Sequence, residues 1–147
     1  MSWLPKQSVV VPIDFCEASL GAIATAIELA GGSENVHVVH VLVPLDGLSP
    51  GVVWGEVNDE TREHAVRETF AEYCGEHGLG GLNLDVKVGD PGTQITEYSQ
   101  GLGADLIVIP SHGYGGVARL VLGSVAERVL RHAECPVLVL RRDKKDF

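Results

Sequence analysis

Short runs of apolar, mostly β-branched residues recur along this chain, and most of them are apolar almost without interruption. They occupy residues 8–13 (SVVVPI), 36–43 (VHVVHVLV), 82–88 (LNLDVKV), 105–109 (DLIVI) and 136–140 (PVLVL). A strand that is apolar on both sides must be covered on both sides, which is the condition of a parallel sheet between two layers of helix. The third run departs from this: Asn83, Asp85 and Lys87 alternate with apolar residues, as at a sheet edge.

Between the runs the apolar spacing becomes helical. Leu20, Ile23, Ala24, Ile27 and Ala30 predict a helix stopped by Gly31-Gly32. Asn58 is placed to cap a long helix whose apolar stripe is Val66, Phe70, Tyr73 and Cys74. Asp90-Pro91 reads as a cap followed by proline at the first helical position, leading into Ile95 and Tyr98. A last helix follows Gly123-Ser124, with Val125, Val129 and Leu130 expected to face the core. Strands and helices therefore alternate, and right-handed crossovers make the expected fold α/β: an open five-stranded parallel sheet with helices on both faces, of order 3-2-1-4-5. A length of 147 residues suits a single domain spanning 1–147, with 141–147 as a frayed tail.

Charge and cysteine usage exclude several classes. The formal net charge is -9, from 11 basic and 20 acidic residues, and a nucleic-acid binder normally presents a basic face. Much of the acidity lies on and before the long helix, where Glu56, Asp59, Glu60, Glu63, Glu68, Glu72 and Glu76 accompany only Arg62 and Arg67. A solvated helix face accounts for it, and a docking surface for a basic partner is the lesser alternative. Cys16, Cys74 and Cys135 are odd in number, widely spaced and without a CxxC pair, which fits a reducing compartment. Residues 1–6 lack the apolar core of a signal peptide, and no apolar run approaches the ~20 residues that span a bilayer. The expected location is the cytoplasm, with no membrane or nucleic-acid partner. The histidines form no metal constellation: His37 and His40 cannot share one face of a strand, and His64, His77 and His132 fall on helices. These five read as solvated or packed.

Two long connections leave the carboxyl ends of strands, where open α/β sheets bind ligands: 44–57 after the second and 111–122 after the fourth. The second is the more informative. Pro110-Ser-His-Gly-Tyr-Gly-Gly-Val-Ala-Arg-Leu-Val-Leu-Gly-Ser124 runs from a strand end through a glycine-rich loop into a helix. Glycines let backbone amides approach an anion, and a helix N-terminus adds roughly half a positive charge, so phosphate can be held without lysine. Ser124 is placed either to donate its hydroxyl to a phosphate or to cap the helix, in which case the loop is only a tight connection.

Known phosphate motifs do not fit. No lysine lies between Lys87 and Lys144, which excludes a Walker A loop. The first strand leads into Asp14-Phe-Cys-Glu-Ala where a dinucleotide fold needs G-x-G-x-x-G, and Gly101-Leu-Gly103 precedes a strand instead of following one. Ser111 and His112 suggest a hydrolase, but Ile109-Pro-Ser-His-Gly113 lacks the first glycine of a nucleophile elbow, and neighbours on an extended chain point apart. No catalytic residue is assigned. Asp14 ends the first strand, beside the fourth in the expected order; its carboxylate can accept from ribose hydroxyls or an adenine amine, or cap the next helix. One acid at this point is too few for a receiver domain. Cys16 is placed near a helix N-terminus, with a small buried filler the plainer reading.

In these motifs the sequence resembles the universal stress protein family, whose nucleotide-binding members carry G-x2-G-x9-G-[ST] after the fourth strand. Gly113, the nine residues after it and Gly123-Ser124 match that motif. So do Val11-Pro-Ile-Asp14, Val39-His-Val-Leu-Val-Pro44, Val88-Gly-Asp-Pro91, Gly123-Ser-Val-Ala-Glu-Arg-Val-Leu130 and Cys135-Pro-Val-Leu-Val-Leu140, in order along nearly the whole chain. The resemblance implies ATP or AMP at the sheet's switch point. Asp14 would contact adenosine, and Val41 would meet adenine through its backbone. Gly113, Gly123 and Ser124 would hold phosphates, with magnesium or manganese on the phosphate oxygens and no protein metal ligands. Pro12, Pro110 and Val125 complete the implied site. Pro110 departs from the motif, standing where its first glycine belongs; proline has no N–H and holds φ near about −65°, so a contact through that amide is lost. The fifth strand is wholly apolar at an expected edge, which invites pairing with another copy, and family members dimerise through it. The implied function is an adenine-nucleotide-binding stress-response or regulatory dimer; the alternatives are a slow ATPase, with His112 the available base, and a ligand-free interaction module. The protein partner and the physiological stress leave no mark in the chain.

Overall fold

Five strands form one sheet: β1 (Val9–Pro12), β2 (Val36–Leu42), β3 (Asn83–Val88), β4 (Leu106–Pro110) and β5 (Val137–Leu140). Their order is β3-β2-β1-β4-β5, and every adjacent pair is parallel. The helices between them are α1 (Glu17–Ala30), α2 (Asp59–His77), α3 (Pro91–Leu102) and α4 (Ser124–His132), with a 3-10 turn at Ser33–Asn35 leading into β2. The computed structural model describes residues 2–15, 17–45, 55, 58–111 and 122–141, with Glu17 as backbone alone. Cys16, most of the 44–57 connection, residues 112–121 and the tail beyond Arg141 lie outside the described residues.

Alternation along the strands divides the core into two layers. Val9 and Val11, Val36 and Val38, and Leu106 and Val108 point to one face, where they meet Ala22, Ile23 and Ala26 of α1 and Phe70 of α2. Val10, Val39, Ile107 and Ile109 point to the other and meet Ile95 of α3 with Ala126 and Val129 of α4. Each such side chain is worth about 1.5–3 kcal/mol relative to exposure, so the central strands carry most of the stabilising area.

Two apolar stripes fall differently from the sequence expectation. On α1 the buried residues are Ser19, Ala22, Ile23, Ala26 and Ala30, while Ala24 faces solvent. Small residues line the contact because α1 lies close to β1 and β4. On α4 Leu130 is exposed, and Ala126 takes the inward place beside Val129. Of the expected α2 stripe, Phe70 is buried with Tyr73 and Cys74 packed against the same layer, while Val66 is only half-buried.

The helix starts follow capping chemistry. Asn58 Oδ1 accepts from the Thr61 N–H at 2.8 Å, and Thr61 Oγ1 accepts in return from the Asn58 N–H at 3.1 Å, a reciprocal box. Asp90 Oδ2 accepts from the Thr93 N–H at 3.0 Å, with Pro91 at the first helical position. Helix α1 stops as Gly31 turns to φ +74°. Where α3 meets α4, a side chain at Gly92 would come within 2.5–2.8 Å of the Arg128 stem, so that glycine is a packing requirement. Among the described residues no helix is long and apolar enough to cross a membrane.

Candidate ligand site at the switch point

β1 sends the chain to α1 on one face, and β4 sends it towards α4 on the other. The neighbouring connections part above the carboxyl ends of these strands and leave a crevice, as doubly wound sheets do. A cavity of about 410 Å³ lies there. Pro12, Asp14, Val41, Pro110, Gly123, Ser124 and Val125 all line it, and Gly113 lies outside the described residues. Val39, Ile95, Ile109 and Ala126 add apolar surface, while Ser19, His40 and Ser111 add polar groups.

Asp14 is held by local bonding. Its N–H donates to Ser19 Oγ at 3.0 Å, and the Ser19 hydroxyl donates to Asp14 Oδ1 at 2.8 Å. Helix α1 begins at Glu17, three residues after Asp14. The next residue, Phe15, takes φ +65°, a left-handed conformation that costs a non-glycine residue about 1–3 kcal/mol. Its ring meets Tyr73 at 6.0 Å and Phe70 at 6.5 Å between centroids, so packing on α2 holds the turn in place.

The opposite wall is the start of α4. Gly123 is its N-cap residue and makes no side-chain cap, unlike Asn58 and Asp90 before α2 and α3. Ser124 is the first helical residue, so the capping role open to it in the sequence belongs to Gly123's position instead. The Gly123 N–H donates to the Ser111 carbonyl at 2.8 Å, and the Ser111 N–H donates to the Leu140 carbonyl at 2.8 Å. Ser111 is thus a backbone link between β5 and the base of α4; its buried position is not that of an exposed nucleophile.

Pro91 brings the start of α3 to the rim. There Arg128 Nε lies 3.2 Å from Asp90 Oδ2 and donates to Thr93 Oγ1 at 3.1 Å. The Thr93 amide and hydroxyl, then Arg128, hold the Asp90 carboxyl below the usual carboxylate range. On the β3 edge the Tyr98 hydroxyl donates to Asp85; burial first, then Asp85, raise its pKa. Burial also pushes up the Cys74 and Cys135 thiols, so both stay protonated. Among the described residues no cluster of His, Cys, Asp and Glu is placed to hold a metal ion.

Two lining residues, Ser19 and His40, were not singled out as site residues from sequence. A serine within the small apolar face of α1, five residues after Asp14, was the available signal for the first. For the second it was a histidine near the carboxyl end of a central strand.

The sheet order, the two helix layers and the crevice between β1 and β4 define a doubly wound α/β protein with a cavity at its switch point. The chain belongs to the universal stress protein family, whose sequence profile matches residues 6–141. It is 33% identical over 145 residues to universal stress protein MJ0531 of Methanocaldococcus jannaschii, covering 95% of this chain and 85% of that one. Among solved structures it is similar to the hypothetical protein MJ0577, the subject of a structure-based assignment of biochemical function. That match has a TM-score of 0.73 and 25% identity, and covers 94% and 98% of the two chains. A universal stress protein solved in complex with cAMP shares the fold at a TM-score of 0.65 and 22% identity, covering 95% and 100% of the two chains.

Proposed function

We propose that this protein binds an adenine nucleotide, ATP or AMP, in the cavity between β1 and β4, and serves as a cytoplasmic stress-response or regulatory protein. The observation that carries this is convergence: residues far apart in sequence, from Pro12 to Val125, meet on one cavity whose wall is a helix start without a side-chain cap. Asp14 accepts hydrogen bonds from the adenosine, and the Val41 backbone meets adenine above the apolar floor of Val39, Ile95 and Ile109. Gly113, Gly123, Ser124 and Val125 hold the phosphates at the amino end of α4, where the helix dipole favours an anion. Pro12 and Pro110 are walls without amide donors. Magnesium or manganese, when present, is carried on phosphate oxygens. One structural neighbour's cAMP complex is a nucleotide on this fold, though at that identity the likeness is one of architecture.

The whole chain acts as one domain and pairs through β5 with a second copy. Calorimetric titration of the intact protein with ATP and with AMP, alongside Asp14→Ala, is the test. Heat with wild type and about tenfold or greater weakening with Asp14→Ala are expected, on the scale of a lost charge-assisted hydrogen bond. No heat with either nucleotide removes the proposal and leaves an interaction module. Phosphate release from the ATP sample separates a binder from a slow ATPase.

A further inference from the structure

One cavity-lining side chain directs its hydrogen bond to the protein. His40 Nδ1 lies 2.8 Å from the Ile13 carbonyl oxygen. A carbonyl only accepts, so Nδ1 carries the hydrogen of this bond. The same ring meets Phe15 at 5.1 Å between centroids, tilted by 51°. His40 therefore grips the residue before Asp14 by a hydrogen bond and the residue after it by ring contact.

That grip falls where the sheet no longer supplies one. β1 ends at Pro12. Beyond it, the Ile13 N–H still donates to the Val39 carbonyl at 2.9 Å, while the Ile13 carbonyl is bonded by the His40 side chain. The Ile13 peptide groups are thus tied to β2 on both sides, once by backbone and once by imidazole. Phe15 holds a conformation that persists only when its surroundings over-determine it.

We infer that His40 is a positioning residue for the ligand: it fixes the Asp14 carboxylate in the cavity by donating from Nδ1 to the Ile13 carbonyl just before it. This rests on the nucleotide reading above and names a determinant of that site. The role is a matter of hydrogen-bond donation, which distinguishes it from simple filling of space beneath Phe15.

Two substitutions separate those roles. His40→Phe keeps a ring against Phe15 and removes the donor; His40→Asn keeps a donor near the position of Nδ1 and removes the ring. Calorimetry should show nucleotide binding weakened about tenfold in His40→Phe, the scale of one lost anchoring hydrogen bond, and largely recovered in His40→Asn. In an Asp14→Ala background His40→Phe should have no further effect, because His40 acts through Asp14. Wild-type affinity in His40→Phe, or an undiminished loss in the Asp14→Ala background, overturns the inference. Nitrogen-15 spectroscopy of the unliganded protein decides it independently of any nucleotide. The imidazole should carry a hydrogen on Nδ1, and His40→Phe, not His40→Asn, should displace the Asp14 amide resonance. An Nε2–H tautomer or an unmoved Asp14 amide overturns it. Absence of nucleotide binding in wild type removes the proposed function alone, and these resonances then decide whether His40 holds the turn.

Discussion

At the scale of single residues, the glycine at 123 is unusual for what its backbone does not demand. Its φ of −63° and ψ of 151° are open to any L-residue, so conformational freedom does not explain glycine there. The residue is the N-cap of α4, a position where Asp, Asn, Ser and Thr bond the first-turn amides. Glycine leaves those amides to another acceptor. Gly123→Asp should therefore act in opposite directions on stability and binding. The melting temperature should hold or rise slightly, since aspartate exceeds glycine as a cap by only a few tenths of a kcal/mol. Nucleotide affinity should fall by more than about tenfold, because a carboxylate would stand against the phosphates. Calorimetry and thermal unfolding of one sample test both. Equal loss of stability and affinity would mean that the substitution merely damages the helix.

Secondary-structure elements show most plainly what the sequence could and could not reveal. Asn58 and Asp90-Pro91 were legible as helix starts because capping needs a short polar side chain before a helical stripe, and little else in the chain competes for that role. Strands β1, β2, β4 and β5 were legible as nearly unbroken apolar runs, and β3 by the alternation of an edge strand. Leu130 was misplaced because α4 is short, and one extra residue of rotation turns a side chain from the sheet to solvent. Ala24 was misplaced because alanine is apolar enough for either face of α1. The grip of His40 on Ile13 was not legible at all, since it depends on where one strand ends relative to its neighbour.

The cap of α3 also sets a pH dependence. The folded Asp90 carboxyl titrates below its unfolded value, so its contribution is present above about pH 3.9 and is lost as pH falls through the lower folded value. Asp90→Asn keeps an acceptor for the Thr93 amide and removes the charge that faces Arg128. At neutral pH it should lower the melting temperature modestly, as exposed ion pairs contribute little. The difference from wild type should close as the pH is taken below the folded pKa. Thermal scans of both proteins from pH 7 into the acid range check this, and a constant gap would contradict it.

Taken as a whole, the molecule has two sheet edges of different character. β3 puts Asn83, Asp85 and Lys87 on one side, with Asp85 engaged by Tyr98. β5 is apolar throughout and only half-buried. Pro136 and Leu140 direct their carbonyls to β4, accepting from Ile107 and Ser111. By strand alternation Val137 and Val139 present their backbone groups to the open edge. Pairing of two copies should use those groups. Val139→Pro removes an outward N–H without removing a bond to β4, and proline is tolerated on such an edge. Sedimentation should find wild type as a dimer and Val139→Pro as a monomer with its secondary structure retained. A dimer that survives the substitution would place the interface elsewhere.

The link from Ser111 to Gly123 has a further consequence, for what the segment between them tolerates. One backbone hydrogen bond joins the two ends of the connection from β4 to α4. Doubling a closed loop costs only about 0.6 kcal/mol of entropy. An insertion between Ser111 and Leu122 should therefore leave the fold of the sheet and its melting temperature nearly unchanged, which thermal unfolding of such a variant checks.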